Sequence, residues 1–253
     1  MCCMSACSSQ RCGAEANDLS RWQDAVRTLA KFHRVIPKSI GLEGFGKPSG
    51  FYDRQIATFS AVSRAQSQAV DVDSKEPVGE LPHFADMVRF FSNKGTQPHD
   101  RGTLVHGDYK IDNLIFHKTE PRVIGILDWE MATVGHPLSD LCNLTSPYYV
   151  DGTEHMVENF RPGAVPGLPL REDCVRWYSE LAGWNPTQDI PWGDSFFMWR
   201  SSVIMQGIKA RHALRQASSA RAKEYADKTT PFALNAWERV KRVQEESRLK
   251  GKL

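Results

Sequence analysis

Apolar residues recur at three- and four-residue spacings along most of the chain, and they give way to short continuous runs in one stretch. Trp22, Val26, Leu29 and Phe32 share a face at helical period. They predict a helix that starts at Asp18 as N-cap and runs to about His33. A loop follows to about Tyr52, and Ile56, Phe59 and Val62 then mark a second helix. Residues Val70–Pro82 read as a polar linker, and Phe84, Met87, Val88 and Phe91 mark a third helix. Its stripe of phenylalanines is a core pattern before it is a ligand box. Further on, the pattern predicts a short helix around Leu138–Leu144 and helices over Arg171–Leu181, Asp194–Asp227 and Pro231–Arg248. Between the first two of these, Tyr148–Pro169 is rich in Gly and Pro and reads as a surface excursion near the mouth of a substrate site. No internal repeat is visible.

The exception to the helical period lies between Leu104 and Glu130. Leu104-Val105, Leu114–Phe116 and Val123–Leu127 are short apolar runs, with Glu120-Pro121 supplying a turn between the last two. They predict three strands. The polar loop after the first carries Asp108 and Asn113, five residues apart, and the third strand ends at Asp128, twenty residues beyond Asp108. Phosphoryl transfer needs such a set: one carboxylate to orient an attacking hydroxyl, and an Asn with a second carboxylate to hold Mg²⁺ against the phosphates of ATP. Mg²⁺ is hard and octahedral, so its ligands must be oxygens. An Asp-Asn pair in a loop also makes ordinary side-chain turns. The second Asp at a strand end favours the catalytic reading.

The segment His106–Asn113 with Asp128-Trp129-Glu130 resembles the aminoglycoside phosphotransferase family of kinase-like enzymes. There HGD-x-x-x-x-N stands where protein kinases show HRD-x-x-x-x-N, and a D-x-[DE] element replaces DFG. Residues 40–48, Arg54-Gln55-Ile56, Gly135–Leu141 and Gln206–Arg211 extend the likeness to a subgroup related to the kinase-like domains of certain acyl-CoA dehydrogenases. The resemblance covers about residues 20–225. It implies an α+β, protein-kinase-like fold: a mainly helical C-terminal lobe with a small β-hairpin carrying the catalytic loop. It also implies Mg²⁺ with ATP as co-substrate and transfer of the γ-phosphate to a hydroxyl of a small molecule, the subgroup pointing to a hydroxyacyl acceptor.

On that pattern Asp108 accepts the hydroxyl's hydrogen bond, while Asn113 and Asp128 hold the metal and nucleotide. Lys110 sits where many protein kinases place a lysine that meets the transferring phosphate, a solvated loop lysine being the plainer alternative. His106 reads as packing beneath the loop and bonding its backbone. Asp112 reads as a turn or supporting carboxylate, Glu130 as support for the metal or as a salt-bridge partner, and Asp140 as a helix cap or a brace for the loop. The remaining histidines, among them His33 and His155, lack metal-binding spacing. Trp184, Trp192 and Trp199 read as packing rather than as an acceptor pocket.

The residues before the loop show no Val-Ala-Ile-Lys-like strand and no glycine-rich turn after a strand. The expectation is therefore a C-lobe over residues 18–253 without its N-lobe, completed by another segment or chain, or else a non-catalytic binding module. Such a lobe alone is expected to bind ATP poorly. Charged residues at 25% and a net charge of +2 give no global reason to expect nucleic acid or a membrane surface as partner. No apolar run approaches the length of a transmembrane helix. Cys2, Cys3, Cys7 and Cys12 crowd residues 1–17, expected to be a disordered tail without zinc spacing, whereas Cys142 and Cys174 read as buried small hydrophobes of a reducing compartment. A cytoplasmic location is expected, with a peroxisomal alternative in the C-terminal Gly251-Lys252-Leu253.

Overall fold

The computed structural model describes residues 19–150, 160 and 165–250. The expected tail, the Asp18 cap, most of the Tyr148–Pro169 excursion, His155 and the Gly251–Leu253 terminus lie outside the described residues. The chain forms two compact units: Met1–Phe51 with Asp100–Ile190, and Tyr52–His99 with Pro191–Leu253.

The first unit is built on α1 (Leu19–His33) packed along α5 (Arg171–Ala182). Trp22, Ala25, Val26, Leu29, Ala30 and His33 form the buried face of α1. Cys174, Trp177 and Tyr178 meet it from α5 in one apolar cluster that also takes in Tyr109, Leu114, Leu141 and Leu144. The two alanines let the helix backbones approach, and the large residues on either side fill the space between them. Leu29 is fully buried, so Leu29→Ala would cost about 2–5 kcal/mol. Cys142 and Cys174 are buried, as expected, and burial pushes the Cys174 thiol up to about 12.

Two short antiparallel ladders stand in this unit. Strand β1 (Thr103–Val105) pairs with β4 (Thr133–Gly135), Leu104 opposite Val134. Strand β2 (Leu114–Phe116) pairs with β3 (Val123–Ile126), Leu114 opposite Ile126, with a register shift between Ile115 and Phe116. The expected turn at Glu120-Pro121 closes this hairpin, where the His117 N–H meets the Arg122 carbonyl at 2.7 Å. Asp24 on α1 accepts the Val123 N–H at 2.7 Å and ties the hairpin to the helix. Strand β4 has no signal in the sequence, because Thr133-Val134-Gly135 carries a single apolar side chain and forms no apolar run. A Cβ at Gly135 would overlap the Phe51 ring. Beyond β4, α4 (Leu138–Leu144) falls where the sequence predicts it.

The second unit comprises α2 (Phe51–Ser67, all but its first residue), α3 (Phe84–Phe91), α6 (Ile190–Ala213, all but its first residue), α7 (Ala222–Asp227) and α8 (Thr229–Lys250). An aromatic cluster fills it. Tyr52 and Trp192 have ring centroids 4.5 Å apart, Phe91 and Phe196 5.3 Å, and Phe196 and Trp199 5.4 Å. Trp192 and Trp199 therefore pack, as the sequence suggests.

Three expectations need correction here. Val62 is exposed, and beyond Ile56 the buried positions on α2 are Ser60, Ser63 and Ser67. The face is polar because Ser63 donates to Gln206 Oε1 at 2.7 Å, while Gln206 Nε2 donates to the Gly79 carbonyl at 2.9 Å. The helix expected over Asp194–Asp227 is two helices, α6 and α7. Arg215 takes a left-handed φ of 58°, the Gln216 N–H returns to the Arg211 carbonyl at 2.7 Å, and α6 ends in a Schellman-type turn. Ion pairs from Arg215 to Asp71 and Asp73 offset the strain of a non-glycine residue there. Those pairs, with the Val72 N–H on the Ala213 carbonyl at 3.0 Å, also make the Val70–Pro82 stretch a docked loop rather than a free linker.

Candidate active site

Strand β1 leads into His106-Gly107-Asp108, and a 3₁₀ turn at Ile111–Asn113 closes the loop before β2. Gly107 has a φ of +87°, and a Cβ there would lie 2.6 Å from the Met131 carbonyl oxygen, so no other residue fits without a shift. The loop's first two backbone donors are held by Asp140 of α4, which is fully buried. Its Oδ2 accepts the His106 N–H at 2.7 Å and its Oδ1 the Gly107 N–H at 2.8 Å. His33 Nε2 adds a third contact at 3.2 Å, and His33 Nδ1 lies 2.7 Å from the Tyr178 hydroxyl. Since the carboxylate can only accept, Nε2 is the donor to Asp140. The Tyr178 hydroxyl, whose pKa burial pushes upward and so keeps protonated, faces the other ring nitrogen, Nδ1. Residues of α1, α4 and α5 thus converge on the backbone of one loop.

His106 is itself fully buried. Its Nε2 lies 2.8 Å from the Leu127 carbonyl, and its Nδ1 is 3.2 Å from the Asp108 N–H. Nε2 must donate and Nδ1 must accept, so both ring nitrogens are committed to backbone and neither is available as a base.

The Asp108 carboxylate is ringed by donors. Lys110 Nζ is 2.7 Å from Oδ2, Asn113 Nδ2 is 3.1 Å from Oδ2, and Asn143 Nδ2 is 3.3 Å from Oδ1. Asn113 Nδ2 also donates to the Asp108 carbonyl at 2.9 Å, and Asn143 Nδ2 to the Tyr109 carbonyl at 3.0 Å. The Asp108 side chain still keeps 32% of its surface exposed. A fixed, accessible hydrogen-bond acceptor results.

With its amide nitrogen turned to Asp108, Asn113 has an Oδ1 that meets no donor among the described residues. Its backbone carbonyl accepts the Leu127 N–H at 2.8 Å, so the β2–β3 register brings Asp128 to the neighbouring position. Asp128 is exposed and left-handed, with a φ of 61°, and no described residue pairs with its carboxylate. Glu130 is likewise exposed in the 3₁₀ turn Trp129–Met131. Trp129 anchors that turn: its indole N–H donates to the Ile126 carbonyl at 2.8 Å and its ring centroid lies 4.8 Å from that of His106. Burial pushes the Asp112 carboxyl upward in pKa, Lys110 pulling it back and Asp108 adding to the rise. Among the described residues no cluster of three or more His, Cys, Asp or Glu could hold a metal. Asn113 Oδ1 and the Asp128 carboxylate do suit Mg²⁺, which takes one or two protein oxygens and completes its octahedron with water and phosphate.

Most of the residues singled out in the sequence therefore meet around one loop: His106, Asp108, Lys110, Asp112, Asn113 and Asp140, with Asp128 joined through the hairpin. Glu130, exposed on the Trp129–Met131 turn, forms no hydrogen bond or ion pair with any of them. Three network members escaped sequence reasoning. Asn143 lies three residues after Asp140 on the same face of α4, a spacing that could have marked it. His33 and Tyr178 carry no local signal, because their partners lie more than a hundred residues away in the chain for His33–Asp140 and His33–Tyr178 alike. Trp184 is half-buried, with the Arg101 guanidinium 4.4 Å above its ring, and reads as packing.

Comparison with known proteins follows the same line. The model of the phosphotransferase enzyme family, APH, matches residues 11–172. Acyl-CoA dehydrogenase family member 11 of Gallus gallus is 32% identical over 228 residues, which cover 87% of this chain and 27% of that protein. Acyl-CoA dehydrogenase family member 10 of Mus musculus is 29% identical, over 84% of this chain and 19% of its own length. The chain thus spans about a quarter or less of the curated relatives it matches. A solved structure from Ralstonia eutropha JMP134, provisionally assigned as an aminoglycoside phosphotransferase, superposes with a TM-score of 0.76 at 28% identity, over 90% of this chain and 67% of that one. The streptomycin–ATP complex of APH(2")-IIa shares the fold at a TM-score of 0.50 and 16% identity, over 82% and 62% of the two chains. No helix among the described residues is long and apolar enough to cross a membrane.

Proposed function

Because the chain belongs to the phosphotransferase enzyme family, we propose that it transfers the γ-phosphate of Mg²⁺-bound ATP to a hydroxyl of a small molecule, with hydroxyacyl compounds as the acceptor class. The observation that carries this is the Asp108 carboxylate, one third exposed and fixed by Asn113 and Asn143. In transfer, the acceptor O–H hydrogen-bonds to Asp108, which takes its proton as the new O–P bond forms and the bond from the γ-phosphorus to the bridging oxygen breaks, releasing ADP. Lys110, whose Nζ lies 2.7 Å from Asp108 Oδ2, would meet a phosphate oxygen brought to that carboxylate. Asn113 Oδ1 and Asp128 would hold Mg²⁺, which when bound neutralises charge on the phosphates. His106, Asp140 and His33 touch no reacting atom; they hold the loop.

ATP as donor is supported by the family and by the ATP-bound neighbour of the same fold. The hydroxyacyl class is supported by the relatives, which are named as acyl-CoA dehydrogenases. No β-ladder precedes Thr103 among the described residues.

The test is turnover of ATP with Mg²⁺ and a panel of hydroxyacyl-CoAs and hydroxy acids, followed as acceptor-bound phosphate. Asp108→Asn keeps the shape and removes the proton acceptor, so a loss of about 10²–10⁴-fold is expected with thermal stability retained. Turnover of the variant within a few-fold of the parent would overturn the role of Asp108. Transfer to sugars or aminoglycosides with none to hydroxyacyl compounds would overturn the acceptor class alone.

A further inference from the structure

A second ligand site lies in the other unit. Helices α3 and α8, with the turn after α3, line an open cleft of about 410 Å³, within the size range of small-molecule sites. Its polar lining is rich in donors that the protein leaves unused. Arg248 on α8 has no acidic partner among the described residues, and neither end of the Gln244 amide is bonded there. Asn93 spends its oxygen on the Gly95 N–H at 2.9 Å, which leaves its amide nitrogen as a further donor. Arg89 on α3 has one ion-pair partner among the described residues, Asp86 at 3.4 Å. Asp86 is the single acidic group in the lining, and it is shared between Arg89 and His83, the latter at 3.9 Å.

The apolar part of the lining is aromatic. Trp237 is half-buried and stacked by His83 at 4.9 Å with the rings 15° apart, so its indole is held rigid. Phe90 is buried beside it. Two guanidiniums, two amides and a fixed indole make a pair of recognition surfaces: one for a compact anion, the other for a flat ring.

The geometry points to a binding site for a phosphomonoester carried on a flat aromatic group, as in a purine nucleotide, with the phosphate on Arg89 and Arg248 and the base against Trp237. The site is distinct from the Asp108 loop and does not depend on the transfer reaction. Free nucleotides and nucleotide-ended coenzymes share this chemistry.

Calorimetric titration of the purified full chain tests it, with AMP, adenosine, inorganic phosphate and coenzyme A as separate probes in the presence of EDTA. Metal chelation suppresses the contribution of Asn113 and Asp128. AMP or coenzyme A is expected to bind at least tenfold more tightly than adenosine or phosphate alone, and the stronger of the two names the source. Arg89→Ala with Arg248→Ala should weaken that binding tenfold or more, and Trp237→Leu should weaken it without changing the response to inorganic phosphate. Because Trp237 is partly buried, the two exposed arginine variants decide the outcome if the tryptophan variant fails to fold. Binding unchanged in the double arginine variant and abolished by Asp108→Asn would place the nucleotide at the transfer loop and overturn the inference, as would no binding of any probe at millimolar concentration.

Discussion

The two ends of the candidate site are built in opposite ways. Around Asp108 the protein satisfies nearly every polar atom: Asp140 takes two backbone N–H groups, His106 bridges the loop to Leu127, and two asparagines grip the carboxylate. Around Asp128 it satisfies almost none. The residue is exposed, left-handed and unpartnered among the described residues, beside a turn whose Trp129 indole N–H bonds the Ile126 carbonyl. If the proposed function holds, preorganisation falls where a proton would be accepted at a defined point and is withheld where a ligand would complete the coordination. The contrast separates the part of the site that the fold finishes from the part that, on the proposed function, metal and nucleotide would complete.

The contrast is broken most severely at Asp140. Asp140→Asn keeps the volume but turns one end of the side chain into a donor, facing N–H groups of His106 and Gly107 and the Nε2–H of His33. Breaking such a buried charged network costs about 3–5 kcal/mol. A loss of that size should appear in chemical denaturation, together with reduced turnover, because the loop that carries Asp108 loses its brace. A stability change under about 1 kcal/mol would show that the network is ornamental. His33→Asn, which keeps one polar contact but cannot span Asp140 and Tyr178, should fall between that variant and the parent.

On the open side the expected losses are functional. Asp128→Ala should weaken Mg²⁺-dependent nucleotide binding on the order of a hundredfold, and Asn113→Ala nearer tenfold, since contacts with a charged partner are roughly twice as strong as neutral ones. Their stabilities should differ in the reverse order. Asn113→Ala leaves the buried side of the Asp108 loop a bond short, a cost of about 1–3 kcal/mol, whereas Asp128→Ala breaks nothing inside the protein. Equal losses of binding in a nucleotide titration would count against the shared metal site.

Legibility in the sequence followed the range of the interactions. The Asp108–Asn113 loop and Asp128 could be read because their chemistry is local: strand, loop, strand, turn, strand, all within twenty-five residues. Helix α4 was readable from its short apolar run. The supports of the loop were not, since the His33–Asp140 and His33–Tyr178 contacts span 107 and 145 positions. The break between α6 and α7 was hidden for a related reason. Helix-forming residues continue through it, and the stop is set by Arg215 turning left-handed toward Asp71 and Asp73 in a loop far back in the chain. Val62 misled because apolar period alone cannot foresee that a serine face will be buried against Gln206.

Asp128→Gly sharpens the comparison further. A non-glycine residue held at positive φ costs of order 1 kcal/mol, and glycine removes that strain while making the unfolded chain more flexible. The net expectation is a gain of a few tenths of a kcal/mol in stability, with nucleotide binding as poor as in Asp128→Ala. A protein that is steadier without its metal carboxylate would show the turn strained for function. A clear loss of stability by denaturant titration would instead make Asp128 part of the framework.

The smallest effect is expected at Asp112, which stands between the two regimes. Burial pushes its carboxyl above the ordinary range, with Asp108 adding to the rise and Lys110 partly opposing it. A carboxyl raised in the folded state binds its proton more tightly there than in the unfolded chain. Its contribution to stability is therefore full below the unfolded value and is lost as pH rises through the folded one. Asp112→Asn removes that titration and keeps the side chain neutral and of the same size. The variant should match the parent in acid and become slightly the more stable of the two toward neutrality, the gap opening across the carboxylate range. Thermal melts of both proteins from about pH 3 to about pH 8 would show it. Curves that stay parallel throughout would mean that Lys110 offsets the burial, and that Asp112 is kept charged beside the site rather than held back from ionising.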